Sequence, residues 1–368
     1  MGIIVGLPET GGSKRDLQLT FGAAQIEMRS PFLPAEWYPQ SGVQLTWPHA
    51  CTDWAYILPE VEECFIQIAH EIVQRELLLI VTPDPQAVKA AIGLRVNMEN
   101  VRFLKCETND TWARDHGAIT RIDGSSPTLL DFAFNGWGLK FASGKDNLVT
   151  RQAVEARALN GRYENRLNFV LEGGSIESDG MGTLLTTSAC MLSPNRNGAM
   201  NKVEIEEYLR STFHLQRVLW LDHGYLAGDD TDSHIDTLAR FCSPDAIAYV
   251  KCTDVNDEHY EALRKMEEQL RSFRTLSGEP YRLLALPMAG EIVEAGERLP
   301  ATYANFLIIN GAVLYPTYHQ PANDRKAKEV LREAFPNDEI IGIDCRSLIR
   351  QHGSLHCVTM QYPLNVIR

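Results

Sequence analysis

The chain has 368 residues, 44% of them apolar, and a formal net charge of -13. That is enough apolar material for a large core, and the acidic balance argues against a nucleic-acid partner while suiting a small cationic one. Eight cysteines, at 51, 64, 106, 190, 242, 252, 345 and 357, carry no CxxC spacing; this excludes a four-ligand zinc site of the usual spacing and reads as mostly buried thiols in a reducing, cytoplasmic compartment.

The start, MGIIVGLPETGGSKRD, lacks a basic leader and an apolar core of useful length, so it is not read as a signal peptide. LPETG resembles a sortase motif at the wrong end of a chain, and residues 1–27 are read as a flexible arm. No eighteen-residue apolar stretch exists, and no membrane span is expected. Residues 57–76 place Ile57, Val61, Cys64, Phe65, Ile68 and Ile72 mostly three and four apart, which predicts an amphipathic helix. LLLIVTPD (77–84) reads as a strand, VKAAIGL (88–94) as a short helix and VRFLKCE (101–107) as a strand. TLLDFAFN (128–135), RLNFVLEGG (166–174) and TLLTTSACML (183–192) are strand-like. A helix over 202–213 precedes a strand over 217–224. IAYVKC (247–252) precedes a helix over 257–273. Strands are predicted at 281–288, 305–311, 312–318, 339–345 and 356–363, with a helix over 323–335.

Helices are often separated by two or three strands, which disfavours a simple alternating barrel or a doubly wound sheet. No GxGxxG follows a strand, no Walker A loop is present, and no sequence period is visible. No Pro/Ser-rich linker divides the chain, so residues 28–368 are read as one domain.

Five stretches concentrate reactive residues: NDTWARDHG (109–117), LEGGSIESDGMG (171–182), GDDTDSHIDTLARF (228–241), ATYANF (301–306) and HGSLHC (352–357). Cys357 is either a buried thiol or a nucleophile, and a nucleophile needs a partner base or a cationic setting. If 356–360 is extended, His356 and Cys357 point to opposite faces, so the base must come from elsewhere. In SHID, His234 and Asp236 would share one face of a strand. They are either a hydrogen-bonded pair or a proton carrier beside a carboxylate that binds substrate. Asp110 and Asp115 flank Trp112 and Arg114; carboxylates beside an indole suit a flat guanidinium, although Trp112 as core is the plainer reading. Glu172 precedes two glycines that permit close backbone approach, and its plainer reading is a solvated turn carboxylate. The acidic run Asp229, Asp230, Asp232 lacks EF-hand spacing.

Taken together, MRSPFLPAEWYPQSGVQLTWP (28–48), DTWARDHG, DFAFNGWG, LEGGSIESDG, LLTTSACMLSPNRN, GDDTDSHIDTLARF, ATYANFLIIN and LHCVTMQYP resemble the agmatine deiminase branch of the guanidine-modifying superfamily, over residues 28–363. The resemblance implies an α/β fold, a five-bladed α/β propeller with pseudo-fivefold strand and helix units around a central site. It implies a hydrolase of linear amidines that converts agmatine and water to N-carbamoylputrescine and ammonia, with no metal or organic cofactor, no nucleic-acid partner and a homodimeric assembly. Carried across, Cys357 matches the nucleophile, His234 the general acid/base, and Asp115 and Asp236 the carboxylates that grip the guanidinium. Trp112 matches a lining aromatic, and Glu172, Asp110 and Asp230 match the substrate pocket.

The chain departs from the family pattern at Ala118, where proline is usual, at Ser233, where glycine is usual, and over Gln351–His356, which replaces a glycine-rich stretch. These departures leave the substrate more open than the chemistry. Free arginine or peptidyl-arginine deimination would use the same Cys/His/Asp set. An amidinotransferase, a cysteine protease and a non-catalytic binding protein are the remaining alternatives.

Overall fold

The computed structural model describes residues 31–368; the expected arm over 1–27 lies outside them. Five small sheets, apart from a two-stranded hairpin at Val293–Glu294 and Glu297–Arg298, follow one another along the chain; four have three strands and the first has four, and all share one rule. An antiparallel pair comes first, then a helical crossover leads to a third strand that runs parallel to the second. The second blade is Ile119–Asp123, Ser126–Ala133 and Arg162–Val170; the third is Ile176–Ser178, Thr183–Thr187 and Arg217–Leu221. The fourth is Ala239–Ser243, Ala246–Lys251 and Arg282–Pro287; the fifth is Leu307–Ile309, Ala312–Thr317 and Glu339–Asp344.

The first blade closes the ring. The last strand of the chain, Thr359–Pro363, pairs antiparallel with Gln40–Thr46, with Val43 opposite Gln361. Leu77–Thr82 and Val101–Lys105 then add in parallel. This is the five-bladed α/β propeller that the resemblance implied. The crossover helices are Leu58–Val73, Val149–Glu155, Lys202–Phe213, Tyr260–Ser272 and Pro321–Ala334, one per blade, and the first blade has a second, Pro85–Ile92, before its fourth strand.

Local chemistry explains these elements. Leu78 to Val81 are fully buried, the run expected of a parallel strand covered on both faces. Helix Leu58–Val73 carries proline in its first turn and buries Val61, Phe65, Ile68 and Ile72 on one stripe. Helix Lys202–Phe213 starts at a capping box between Asn201 and Glu204.

Several boundaries differ from the sequence reading. The strand-like run 183–192 stops at Thr187, whose hydroxyl accepts from the Cys190 N–H and caps a short helix at Ser188–Met191. The strand expected over 356–363 starts at Thr359, because residues 355–358 form a turn. His234 lies not on a strand but at the start of a 3-10 turn, Ile235–Thr237. Among the described residues no helix is long and apolar enough to cross a membrane, and the eight cysteines are free.

Candidate active site

Each reactive stretch occupies the same place in the repeat: the turn that enters the first strand of a blade. Ala113–His116 leads into Ile119–Asp123, Gly173–Ser175 into Ile176–Ser178, and Ile235–Thr237 into Ala239–Ser243. Residues 301–306 lead into Leu307–Ile309, and the Cys357 turn leads into Thr359–Pro363. One polar turn per blade thus reaches the middle, where four chemical residues far apart in sequence meet. Asp115, His234 and Asp236 are 4%, 1% and 0% exposed, and Cys357 is 6% exposed.

Gly174 marks their meeting point. A Cβ built on it would sit 2.6 Å from His234 Nδ1, 2.9 Å from Asp115 Oδ1 and 3.1 Å from Asp236 Oδ2. Only a residue without a side chain lets the backbone pass there. The Gly174 N–H donates to Asp115 Oδ1 at 3.0 Å, and Trp137 Nε1 donates to Asp115 Oδ2 at 2.9 Å. His234 Nδ1 lies 3.7 Å from Asp115 Oδ1.

Behind Cys357, His356 bridges two carboxylates: Nδ1 bonds Asp236 Oδ2 and Nε2 bonds Glu36 Oε2, both at 2.7 Å. The expectation that His356 faces away from the sulfur and hydrogen-bonds behind it holds, although a turn and not strand alternation produces it. Asn305 ties the pieces together. Its Oδ1 accepts from the His356 N–H at 2.9 Å, the Cys357 N–H at 3.3 Å and Cys357 Sγ at 3.4 Å. Its Nδ2 donates to the Asp236 carbonyl at 3.4 Å.

Three buried polar atoms here have no protein partner: Asp236 Oδ1 and both ring nitrogens of His234. Unpartnered buried polar atoms are uncommon in folded proteins and mark places where a ligand group completes the bonding.

The electrostatics describe a quiet site. Burial, then the negative charges of Asp236 and Asp115, push the Cys357 thiol well above its ordinary range. Burial lowers His234 to about 3, so it is neutral. Burial and the neighbouring Asp236 raise Asp115 well above the carboxylate range. Burial would raise Asp236 too, but the hydrogen bond and charge of His356 outweigh it and hold the group below its ordinary value. The free site therefore holds an uncharged thiol beside an uncharged imidazole.

A cavity opens onto this cluster with Cys357 in its lining. Asp53, Asp110, Asp115 and Asp230 line it with carboxylates, and Trp112, Trp137 and Phe141 form its aromatic walls. Among the described residues, no lysine or arginine lines it. Trp54 Nε1 donates to Asp110 Oδ1 at 2.8 Å, and burial lifts Asp110 to about 6. Burial likewise lifts Asp230 to about 6, against the pull of His352. Trp112 is 5% exposed and packs so close to Gly353 that a Cβ there would lie 2.1 Å from its ring.

Glu172, expected in the substrate pocket, is not among the residues lining this cavity. It is 1% exposed, and Arg196 Nε donates to both its carboxylate oxygens, at 2.9 and 3.0 Å. One of its oxygens lies within 4.8 Å of a ligand atom of His234. Residues of metal-ligating type meet at Glu172, Cys190 and His234, and at Glu36, Glu177 and His356. Arginine already occupies the carboxylates of both groups: Arg196 binds Glu172, and Arg240 binds Glu36 and Glu177. They are ion-pair networks in chemical character.

Sequence reasoning passed over Asn305, Trp137, Asp53 and Glu36 as site residues. Asn305 and Trp137 stand inside stretches singled out for other reasons, ATYANF and DFAFNGWG. Glu36 stands inside the quoted opening stretch 28–48, whereas Asp53 carries no local signal, since only the fold brings it here.

A family model described as Porphyromonas-type peptidyl-arginine deiminase matches residues 32–363. An agmatine deiminase of Ectopseudomonas mendocina is 31% identical over 355 residues, covering 90% of this chain and 95% of that protein. Among solved structures, a Porphyromonas gingivalis protein provisionally named an arginine deiminase is 52% identical with a TM-score of 0.87, covering 92% of this chain and 99% of the other. An agmatine deiminase of C. jejuni, solved as a Cys-to-Ser variant with substrate bound, is 38% identical with a TM-score of 0.85, covering 92% and 97%.

Proposed function

Because the chain belongs to the Porphyromonas-type peptidyl-arginine deiminase family, we propose that it is an agmatine deiminase, hydrolysing agmatine to N-carbamoylputrescine and ammonia. The observation that carries this reading is the buried, unpartnered Asp236 Oδ1 in the cluster with Asp115 and Cys357, two residues that line a cavity together with the carboxylates of Asp53, Asp110 and Asp230. A guanidinium group supplies N–H donors for that oxygen. The far end of agmatine is an ammonium, which suits Asp53, Asp110 and Asp230. An α-carboxylate would meet those same groups with no arginine or lysine among the lining residues.

In this reading Asp115 and Asp236 hold the guanidinium planar, and Trp112 packs beside it. The cation lowers the proton affinity of the neighbouring thiol. Cys357 gives its proton to the neutral His234, and the thiolate adds to the central guanidinium carbon. His234 returns the proton to the departing nitrogen, ammonia leaves, and an S-alkylthiouronium remains on Cys357. Neutral His234 then takes a proton from water and the hydroxide adds to the same carbon; collapse expels the sulfur, which takes up the hydroxyl proton and restores the thiol as the ureido product forms, and His234 releases its proton, which the freed ammonia takes up as ammonium. The protein's own residues carry every step, with residues 28–368 acting as one catalytic unit in the cytoplasm.

The 52% identity to a protein named an arginine deiminase favours a second reading, deimination of free or peptidyl arginine by the same groups. A colorimetric ureido assay across agmatine, arginine, a blocked arginine peptide and guanidinobutyrate separates the two. Agmatine should exceed the others in kcat/KM by at least about a hundredfold, since an unmatched buried charge costs several kcal/mol. A preference for either arginine substrate would replace this assignment.

A further inference from the structure

The segment after strand Ser126–Ala133 has an unusual backbone. Gly136, Trp137, Gly138 and Leu139 all have positive φ, at 68°, 55°, 83° and 69°. Left-handed Trp and Leu each cost on the order of 1–2 kcal/mol, so contacts outside the segment must hold it. The segment carries Trp137 to Asp115 and places Phe141 in the cavity wall.

The outside contacts converge on one arginine. Lys140 Nζ donates to Asp232 Oδ1 at 2.8 Å and to the Asp230 carbonyl at 2.5 Å. The other oxygen of Asp232 accepts from Arg196 Nη1 at 2.5 Å. Gly138 lies directly against that pair: a Cβ on it would be 3.6 Å from Arg196 Nη1 and 3.9 Å from Asp232 Oδ2. Asn135 Nδ2 donates to the Asn195 carbonyl, next to Arg196 in the chain, at 2.9 Å. Arg196 turns its remaining donors inward, Nη2 to the Thr231 carbonyl at 2.8 Å and Nε to Glu172, whose carboxylate stands beside His234. Every nitrogen of the guanidinium is engaged, and Arg196 is not among the residues lining the cavity. The side chain is 1% exposed, whereas Asp232 and Lys140 are about one-third exposed.

We propose that Arg196 is a positioning residue that locks the cavity-lining strap 136–141 to the wall behind His234, through Asp232 and Lys140 on one side and Glu172 on the other. Its role for turnover rests on the guanidine-hydrolase reading. Strap position and His234 placement are then one event: a strap that lifts removes Trp137 from Asp115 and loosens the Asp232 clamp on Arg196 together. Alternating charges, from Lys140 to Asp232 to Arg196 to Glu172, join the surface to the reacting centre.

The test uses Lys140→Met and Asp232→Asn, singly and together, with Arg196→Lys as a third probe. Two quantities are read: the rate of Cys357 alkylation by iodoacetamide, located by peptide mass spectrometry, and KM and kcat for agmatine. Each single change should raise the alkylation rate and KM about fivefold, and the pair should do no more than the larger single change, because both break one latch. Lys140 and Asp232 reach the surface, so the melting temperature should stay within about 2 °C. Arg196→Lys keeps the charge, but one ammonium does not span Glu172, Asp232 and the Thr231 carbonyl; kcat should fall about tenfold. Alkylation and KM within twofold of wild type in both single variants, or effects that multiply in the double variant, would overturn the latch. Alkylation needs no turnover, so a wild type inactive on agmatine refutes the substrate reading and still leaves the latch to be judged.

Discussion

Gly174→Ala is the sharpest probe of the convergence at the centre. The added methyl would sit 2.6 Å from His234 Nδ1, about 0.8 Å inside ordinary contact at 3.4 Å, and 2.9 Å from Asp115 Oδ1. No strained φ is involved at this glycine, so the cost falls on the neighbours. The His234 ring has no hydrogen-bond partner to resist displacement and should move most. Misplacing a reacting group by about 1 Å costs on the order of a hundredfold in rate, so kcat/KM should fall about that much. Overpacking costs roughly 1–3 kcal/mol, a drop of a few degrees in melting temperature for a chain of this size. Gly173→Ala supplies the contrast. Its methyl would meet the Arg114 carbonyl at 2.2 Å, a backbone atom that cannot step aside, so stability should fall first. The assay is ureido formation from agmatine, alongside calorimetry on both variants. A folded Gly174→Ala protein within about threefold of wild-type kcat/KM would refute the argument that His234 and Asp115 work from these positions.

Two further outcomes follow from the same geometry. Asp115 is raised well above its ordinary range in the free protein, so a bound guanidinium should discharge its proton. In a Cys357→Ser variant, agmatine binding near pH 7 should release about one proton, read by titration calorimetry in buffers of different ionisation enthalpy, and adding Asp115→Asn should abolish the release. No release in the serine variant would mean that Asp115 is already ionised. Ser233 stands at φ 66° where the family pattern has glycine; Ser233→Gly keeps the backbone bonds to Asp229 and Thr187 and should stabilise the protein by roughly 1 kcal/mol, read as a higher melting temperature. A lower melting temperature would show that the serine side chain is itself in use.

Much of the propeller was legible because most strands carry buried runs with turn residues at their ends. Strand Gln40–Thr46 of the first blade went unread, and so did three shorter strands that open the second, third and fourth blades: Ile119–Asp123, Ile176–Ser178 and Ala239–Ser243. Each of these shorter strands has only three to five residues and follows directly on a reactive turn. Its alternation is too brief to separate from the turn's own polar residues. Their absence hid the fivefold rule, because a blade without its first strand reads as an ordinary strand–helix–strand unit. Helix Val149–Glu155 escaped as well, since no side chain caps its start. In the site, Cys357, His234, Asp115 and Asp236 were found through resemblance. The strand alternation first offered for SHID and HCVT was the wrong geometry, since both segments are turns. Glu172 stood out by its two glycines, but its partner Arg196 lies 24 residues further on, and only the fold sets the pair behind His234.

The charge states give the proposed reaction a direction. Without ligand, the thiol and His234 are uncharged, burial favours the protonated form of Asp115, and Asp236 is held as an anion by His356. A thiol in that condition is a poor nucleophile toward neutral electrophiles that reach the cavity. A guanidinium brings the missing positive charge to the spot that lowers the proton affinity of both Cys357 and Asp115. Activation is thus coupled to recognition of the cation and not stored in the free protein. The product reverses the condition, because a ureido group is uncharged. Once it forms, the positive charge that favoured ionised Asp115 is gone, and an uncharged product faces Asp236 without an ionic attraction. Binding energy that depends on the substrate's charge is lost on conversion, so the acidic cradle that favours entry of agmatine does not retain N-carbamoylputrescine by the same contacts.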